Sequence, residues 1–346
     1  MAAEELVHLD RIDEAQGLLV EGFVRSGDPG VAFDTARLLG RTIERADAIR
    51  DFLTIVEEAV SGVAEVDIDP GLLSARAELL SWTGDFKSAK VDFERALEGM
   101  TEDDPCRDLA AEGFAVAYNR EAFQLVEKGE TEQAIFLIKR AMDLAPDWVG
   151  LRVNLGRMFM SLGRMKKAQA EFEGAIAGDS DDPIAWFNLG HLQREINEIE
   201  AAVISFGKVL DLDDEYPDVR PELAAAYHDL RRFEDAARLL EEELDGDHTC
   251  TACNHNLGLA YLELDRPSAA ETRFRQAVEL DETYFRARYN LAGALVRLGR
   301  HDDAMDQLLL AYELDQSLTR EWLSEDRVEF AAIAGRPEFQ RLLTDR

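Results

Sequence analysis

The chain has 346 residues, of which 46% are apolar and 32% charged, so it can build a continuous core and wholesale disorder is excluded. Asp and Glu total 71 against 38 Lys and Arg, and the resulting net charge of −33 should repel nucleic acid and anionic membranes. Three cysteines are too few for a disulfide framework, and no apolar run approaches the length of a membrane span.

The acidity has two explanations that the sequence leaves open. Only seven of the basic residues are Lys, and acidic residues occur along the whole chain. A uniformly acidic surface keeps proteins of high-salt cytoplasms hydrated, but it could equally attract a basic partner. Because the first ten residues lack the basic and apolar pattern of a secretory signal, we expect a cytoplasmic protein.

The first part of the chain carries traces of a 34-residue pattern that is clear further along. Over residues 1–69, Ala36 and Phe52 fit the pattern, and we expect degenerate helical units there. Residues 70–114 fit it better, with Ala89 and Phe93 in register, and predict one unit followed by an eleven-residue insertion. The insertion could simply lengthen the front of the next helix.

Residues 115–318 contain six contiguous rows of 34 residues. One column is alanine in every row: Ala134, Ala168, Ala202, Ala236, Ala270 and Ala304. A second column holds small residues: Ala122, Gly156, Gly190, Ala224, Gly258 and Ala292. A third holds large apolar residues: Ile138, Phe172, Phe206, Leu240, Phe274 and Leu308. This regularity identifies an array of structural repeats.

Each row divides into two stretches with apolar residues at helical spacing. We expect the joints near Gly129, Gly163, Asn197, Arg231, Asp265 and Gly299, where a left-handed residue often closes a short turn. Small residues let the two helices cross closely, and large residues fill the remaining space. A single hairpin of this size cannot bury its apolar face, so consecutive hairpins must stack.

The rows resemble the tetratricopeptide repeat family. One row carries Trp186, Leu189, Gly190, Ala202 and Phe206 in the family's pattern, and a second carries Leu257, Gly258, Tyr261, Ala270, Phe274 and Ala277. The resemblance implies an all-α, right-handed α-solenoid of about seven or eight helical hairpins, whose first helices line a concave groove. One row departs from the pattern at Pro221, so its first helix should start near Pro221 and be a turn short.

Residues 319–346 contain apolar residues interrupted by Gly335 and Pro337. They predict one or two helices that cap the last apolar face of the array. The expected organisation is therefore 1–69 degenerate units, 70–114 one unit with an insertion, 115–318 six units, and 319–346 capping helices.

Four asparagines, which we call the asparagine line, recur at one groove-facing place of the rows: Asn154, Asn188, Asn256 and Asn290. Amide side chains can bind the backbone of an extended peptide whatever its sequence, and the arrangement is similar to the asparagines of O-linked N-acetylglucosamine transferases. The alternative is that they bond neighbouring helices.

Neighbouring places carry cations and aromatic residues that could anchor a partner: Arg157, Phe187, His191, Arg194, His255, Arg286, Tyr289 and Arg297. Together they favour an acidic, aromatic peptide segment. The alternative is that the arginines pair with acids of nearby turns. The carboxylate clamp of co-chaperones is not indicated, because Val153 and Arg157 occupy the places where it requires Lys and Asn.

One cluster has the residue types of a metal or redox site: His248, Cys250, Cys253 and His255. On a helix, His255 would point away from the two cysteines, so a tetrahedral metal site requires the helix start to unwind. A dithiol redox pair is conceivable, although that motif usually follows a strand. The third interpretation is that the cysteines are simply buried.

The sequence contains no phosphate-binding loop, nucleophile elbow or metalloprotease motif. We therefore expect a non-catalytic scaffold or adaptor that needs no cofactor and binds a protein or peptide in its groove, with no nucleic-acid or membrane partner. Two alternatives remain open: a metal- or thiol-dependent regulator centred on the cysteine cluster, and a non-catalytic subunit of an enzyme, secretion or assembly complex.

Overall fold

The structure, a computed structural model, describes residues 32, 35, 36, 46–61, 68–104, 106–246, 249–326 and 328–344. These residues form seventeen α-helices and no strand. The chain divides into two compact units, residues 1–180 and 181–346. Across the described ranges, no helix is both long and apolar enough to cross a membrane.

In residues 1–180, successive helices pack as hairpins, α2 on α3, α4 on α5 and α6 on α7, with α1 packed against α2. The bounds are α1 Ala46–Ser61, α2 Pro70–Thr83, α3 Phe86–Gly99, α4 Arg107–Glu127, α5 Thr131–Leu144, α6 Gly150–Ser161 and α7 Met165–Gly178. Each hairpin also packs on the next, so the core is a continuous row of interfaces between helices.

Residues 181–346 repeat this arrangement with four hairpins and two closing helices. The bounds are α8 Pro183–Glu195, α9 Ile199–Leu212, α10 Val219–Asp229, α11 Phe233–Gly246, α12 Thr251–Glu263, α13 Pro267–Leu280, α14 Phe285–Arg297, α15 His301–Leu314, α16 Gln316–Glu325 and α17 Pro337–Thr344. The predicted all-α solenoid of stacked hairpins is thus confirmed.

The six predicted joints between the helices of a row all have a left-handed backbone. Three are glycines, but Asn197, Arg231 and Asp265 adopt the same conformation with φ of 65°, 59° and 55°. A Cβ is disfavoured in this region, particularly when the side chain is not Asn or Asp. The hairpin geometry therefore overrides the local preference of Arg231.

The small and large columns are matched within each of the six hairpins of residues 115–318. Where the first helix has glycine, the second has phenylalanine, and where it has alanine, the second has leucine or isoleucine. A Cβ added to Gly156, Gly190 or Gly258 would lie 2.5, 2.7 or 2.6 Å from the ring of the partner phenylalanine. The ring thus takes the space that a methyl group would occupy, and the two positions vary as a pair.

The structure agrees with two local predictions and corrects part of a third. The helix α4 begins at Arg107, so the end of the predicted insertion lengthens its front, and the Arg107 guanidinium donates to carbonyls of Leu97 and Met100 near the end of α3. The helix α10 carries Pro221 in its first turn, as predicted, but it begins at Val219 and its 11 residues make it one or two residues shorter than α6, α8, α12 and α14, which is less than the predicted turn. The closing helices bury apolar side chains, including Leu323 and Phe339, against the last hairpin.

The predicted division at residues 69, 114 and 318 stays a prediction. Most of 1–69 lies outside the described residues, although Ala36 and Phe52 are fully buried there in a cluster with the start of α2.

Candidate functional site

A pocket of about 350 Å³ lies on the first helices of the four hairpins in residues 181–346. It is lined by side chains of α8, α10 and α12 and by the start of α14: Phe187, His191, Arg194, Asp218, Pro221, Glu222, Ala225, Ala252, His255, Asn256, Tyr284 and Arg286. Six of these twelve belong to the predicted groove residues: Phe187, His191, Arg194, His255, Asn256 and Arg286. Small residues of α10 and α12 leave room between aromatic side chains on both sides.

The aromatic side chains form two edge-to-face pairs. On α8, the ring centroids of Phe187 and His191 are 4.6 Å apart. Across the pocket, those of His255 and Tyr284 are 5.3 Å apart. Edge-to-face contacts of this kind are favourable, and they give the pocket aromatic walls with polar edges.

The cation of α8 is neutralised by two acids. The Arg194 guanidinium lies 2.9 Å from a Glu222 carboxylate oxygen and 3.0 Å from one of Asp229. Glu222 also approaches Nδ1 of His191 at 3.7 Å. Burial nevertheless lowers the pKa of His191, because desolvation outweighs the attraction of Glu222. His191 is therefore an aromatic, neutral wall of the pocket near neutral pH.

His255 is buried and belongs to a polar chain that joins three hairpins. Its Nε2 lies 2.9 Å from Nδ2 of Asn290, and its Nδ1 lies 3.1 Å from Oδ1 of Asn256. Since the amide nitrogen can only donate and the amide oxygen only accept, the proton of the ring is on Nδ1. Asn256 in turn donates to the carbonyl of Pro221 at 2.9 Å. Burial lowers the pKa of His255 to about 4.

Arg286 is the available cation of the pocket. Its guanidinium lies 5.8 Å from the ring centroid of Trp322, and among the described residues no carboxylate forms an ion pair with it. Asp218 also lines the pocket, is exposed, and forms no ion pair within the same ranges. The pocket thus has a positive and a negative group that could each bind a charged or polar part of a ligand.

The asparagine line bonds mostly between helices. Asn154 donates to Asn119 at 3.0 Å, and Asn188 donates to the carbonyl of Ile184 in its own helix. Asn256 and Asn290 make the contacts with α10 and α12 described above. Each retains hydrogen-bonding capacity, but the contacts that are present are those of the alternative in which these residues join neighbouring helices.

Two predicted groove residues, Tyr289 and Arg297, form side-chain contacts with the C-terminal segment that begins with α16. Tyr289 is 2% exposed, and its hydroxyl donates to Asp326 at 2.9 Å. Burial first, and then the Asp326 carboxylate, raise the pKa of this phenol well above its usual range. The Arg297 guanidinium donates to Glu329 and to the carbonyl of Leu262. Sequence spacing predicted that both face the groove. In the structure Tyr289 packs against aromatic rings of the C-terminal segment, and Arg297 forms an ion pair with it.

The cysteine cluster is not arranged as a metal site in the residues that can be described. Cys250 and Cys253 form a disulfide, and His255 is held by the two asparagines. His248 lies outside the described residues. No group of three or more His, Cys, Asp or Glu side chains in the described ranges is placed to hold a metal ion.

Residues 1–180 contain a larger pocket, of about 610 Å³, between the front of α4 and the segment that joins α5 to α6. Its polar side chains include Asp108, Glu112 and Asp147, and Trp148 forms part of its wall. It contains none of the predicted groove residues, since Asn154 and Arg157 lie further along α6. We favour the smaller pocket because it combines aromatic walls with charges of both signs.

Six lining residues were not among the predicted groove residues: Asp218, Pro221, Glu222, Ala225, Ala252 and Tyr284. Tyr284 is the residue before α14, and Asp218 is the left-handed residue before α10. Tyr284 lies outside the groove-facing places of the repeat, whereas Asp218 occupies the same place of its row as Arg286 does in the row that starts at Phe285. The departure of the row of Asp218 from the repeat pattern around Pro221 was the one signal that pointed to the region.

Comparisons with known proteins agree with the repeat pattern. Family profiles described as tetratricopeptide repeat match residues 125–190, 184–216 and 255–318. Human tetratricopeptide repeat protein 16 is 28% identical over 143 residues, which are 41% of this chain and 16% of that protein. Human tetratricopeptide repeat protein 7A is 34% identical over 90 residues, 26% of this chain and 10% of that protein. The chain thus spans a small part of the curated relatives it matches.

A solved structure supports the fold. The crystal structure of a tetratricopeptide repeat protein from Parabacteroides merdae ATCC 43184 has a TM-score of 0.51 with this chain. The similarity covers 74% of this chain and 97% of that one at 13% sequence identity. At this identity the likeness shows the shared fold.

Proposed function

Because the chain belongs to the tetratricopeptide repeat family, whose members generally act as protein-interaction scaffolds, we propose that it binds a partner protein. The proposed binding site for a peptide segment of that partner is the pocket formed by α8, α10, α12 and α14. The observation that carries the proposal is the convergence of six predicted groove residues on one pocket. A pocket open along a row of helices suits an extended segment better than an enclosed small molecule.

The charges of the pocket specify the chemistry of the segment. The Arg286 guanidinium has no carboxylate partner in the described chain and can bind a carboxylate in a charge-assisted, two-point contact. Asp218 can accept hydrogen bonds from backbone N–H groups or from a basic side chain. We therefore infer a segment with an acidic group toward α14 and an apolar or aromatic side chain between the two aromatic pairs.

The proposal can be tested with peptides selected from a displayed random library against the whole chain. Selected peptides should be enriched in Asp or Glu beside an aromatic or apolar residue. Binding is then measured by fluorescence anisotropy for the wild type and for Arg286→Glu. We expect the reversal of charge to weaken binding at least about tenfold. Amidated and free C-termini distinguish a terminal carboxylate from an acidic side chain.

Arg238→Glu is a matched control, because Arg238 is also an exposed arginine of residues 181–346 but lies on α11, a second helix, and does not line the pocket. It makes the same change of net charge and should leave binding within about twofold, since remote surface charges act weakly through solvent. A second variant, Ala225→Leu, reduces the volume of the pocket without changing charge and should also weaken binding. Equal losses for the two arginine variants, with none for Ala225→Leu, would falsify the pocket assignment.

We propose no catalytic role. Membership in an enzyme, secretion or assembly complex as a non-catalytic subunit stays a prediction, and it is compatible with peptide binding in this pocket.

A further inference from the structure

Cys250 and Cys253 form a disulfide at the start of α12, with Cα atoms 5.3 Å apart. Cys250 is the residue before the helix, and its Sγ accepts a hydrogen bond from the backbone N–H of Cys253 at 3.0 Å. The side chain of Asn254, which is fully buried, donates to the carbonyl of Cys250 at 3.0 Å. The cysteine at the helix start is therefore held in place by bonds other than the disulfide.

The two sulfurs differ in accessibility. Cys253 is 1% exposed and packs in the core of α11 and α12, whereas Cys250 is only partly buried. A thiol from solution should therefore attack Cys250 much faster than Cys253. When a second thiol later displaces Cys250 from the mixed disulfide, the backbone N–H that now contacts Cys250 Sγ, together with the positive end of the helix, would stabilise Cys250 as the leaving thiolate.

We propose that Cys250 and Cys253 form a reversible thiol–disulfide exchange site whose co-substrate is a small thiol or dithiol. This geometry supplies what exchange requires, namely an accessible sulfur at a helix start, a buried resolving sulfur three residues on, and a donor aimed at the first sulfur. No strand before the helix is needed for these properties, so the all-helical fold does not exclude the chemistry. The inference does not depend on peptide binding in the pocket.

The exchange proceeds in two balanced steps. A thiolate attacks Cys250 Sγ, forms a mixed disulfide with it, and releases Cys253 as a thiolate that takes up a proton. A second thiol then attacks the sulfur of the small molecule, which leaves as a disulfide, and Cys250 is released and protonated. In sum, two small thiols are oxidised to one disulfide, and the protein gains two electrons and two protons.

In the first test, the whole folded chain is equilibrated with mixtures of reduced and oxidised glutathione. The reaction is quenched with acid, free thiols are alkylated, and the mass of the protein is measured by mass spectrometry. We expect two alkylation sites to appear together as the mixture becomes more reducing, while the helical circular dichroism signal is unchanged. The variant Cys106→Ser, which removes the free cysteine, should show the same transition. Thiols that appear only after denaturant is added would show a buried structural disulfide and overturn the proposal.

The second test separates an exchange site from a merely accessible bond. In Cys253→Ala, oxidised glutathione should form a mixed disulfide at Cys250, and in Cys250→Ala the same reaction at Cys253 should be at least about tenfold slower because that sulfur is buried. Circular dichroism and thermal unfolding check that both variants fold. Equal rates in two folded variants would contradict the assigned order of attack.

Discussion

The neighbouring hairpins α8–α9 and α10–α11 obey the same packing rule and differ on the side that faces the groove. In the first, Gly190 makes room for Phe206, and in the second, Ala224 accompanies Leu240. The second helix of each therefore compensates for the first. At the place where α8 has Asn188, α10 has Glu222. Core positions thus change in compensating pairs, whereas groove positions change singly, which is where differences in binding should be found.

The largest effect should come from the groove side, through His255, which bonds α12 to its neighbours. Its pKa is about 4 in the folded chain against an ordinary value of 6.5, because burial disfavours the charged ring. A pKa lowered by folding gives stability that is present above pH 6.5 and is lost as the pH falls through 4, since the unfolded chain then binds more protons. Between pH 7 and pH 4 the loss is about 3 kcal/mol.

This effect is measured by urea unfolding of the wild type and of His255→Gln at both pH values. Glutamine does not titrate, so the free energy of unfolding of His255→Gln should fall by about 3 kcal/mol less than that of the wild type on acidification. Contributions of the many carboxylates cancel in the difference between the two proteins. An identical fall in both would mean that His255 is not protected from protonation in the folded chain.

The pairing of small and large residues predicts an effect of about 2 kcal/mol. Gly190→Ala places a methyl group 2.7 Å from the buried ring of Phe206, and overpacking of this kind should outweigh the gain in helix propensity. Adding Phe206→Leu should recover part of the loss and give a coupling energy of about 1 kcal/mol. Thermal and urea unfolding of the single and double variants measure both quantities.

The matched control lies in the neighbouring hairpin. Ala224→Gly in α10 should cost about 1 kcal/mol, because it adds flexibility to a helix without relieving any contact. If the effects of Gly190→Ala and Phe206→Leu on the free energy of unfolding were additive, the two positions would be independent. That result would contradict the pairing of small and large residues within the hairpins.

The smallest effect concerns the joints. Arg231→Gly should stabilise the α10–α11 hairpin by about 0.5 to 1 kcal/mol, because Arg231 has a φ of 59° that glycine adopts without a steric penalty. Gly163→Ala, at a φ of 69°, is the reverse test and should destabilise by a similar amount. A destabilised Arg231→Gly variant would indicate that the guanidinium, 5.8 Å from the ring centroid of Phe233, matters more than the backbone.

The sequence predicts the repeat architecture well because every 34-residue row has small and large apolar residues at the same places. The joints, the place of Pro221 in a first turn and the closing helices all follow from local rules applied to a regular period. The site is predicted in part. Spacing indicates which residues face the groove, but not that Arg194 is neutralised by Glu222 and Asp229 or that Tyr289 is drawn into the core. Those outcomes depend on side chains that are distant in sequence.

The pocket takes side chains from four consecutive first helices, although stacked modules of this type interact chiefly with their neighbours. A bound peptide would therefore connect hairpins that otherwise unfold one at a time. Amide hydrogen exchange of α8, α10, α12 and α14 should then slow together on binding, so that a stepwise unravelling array behaves as one cooperative block.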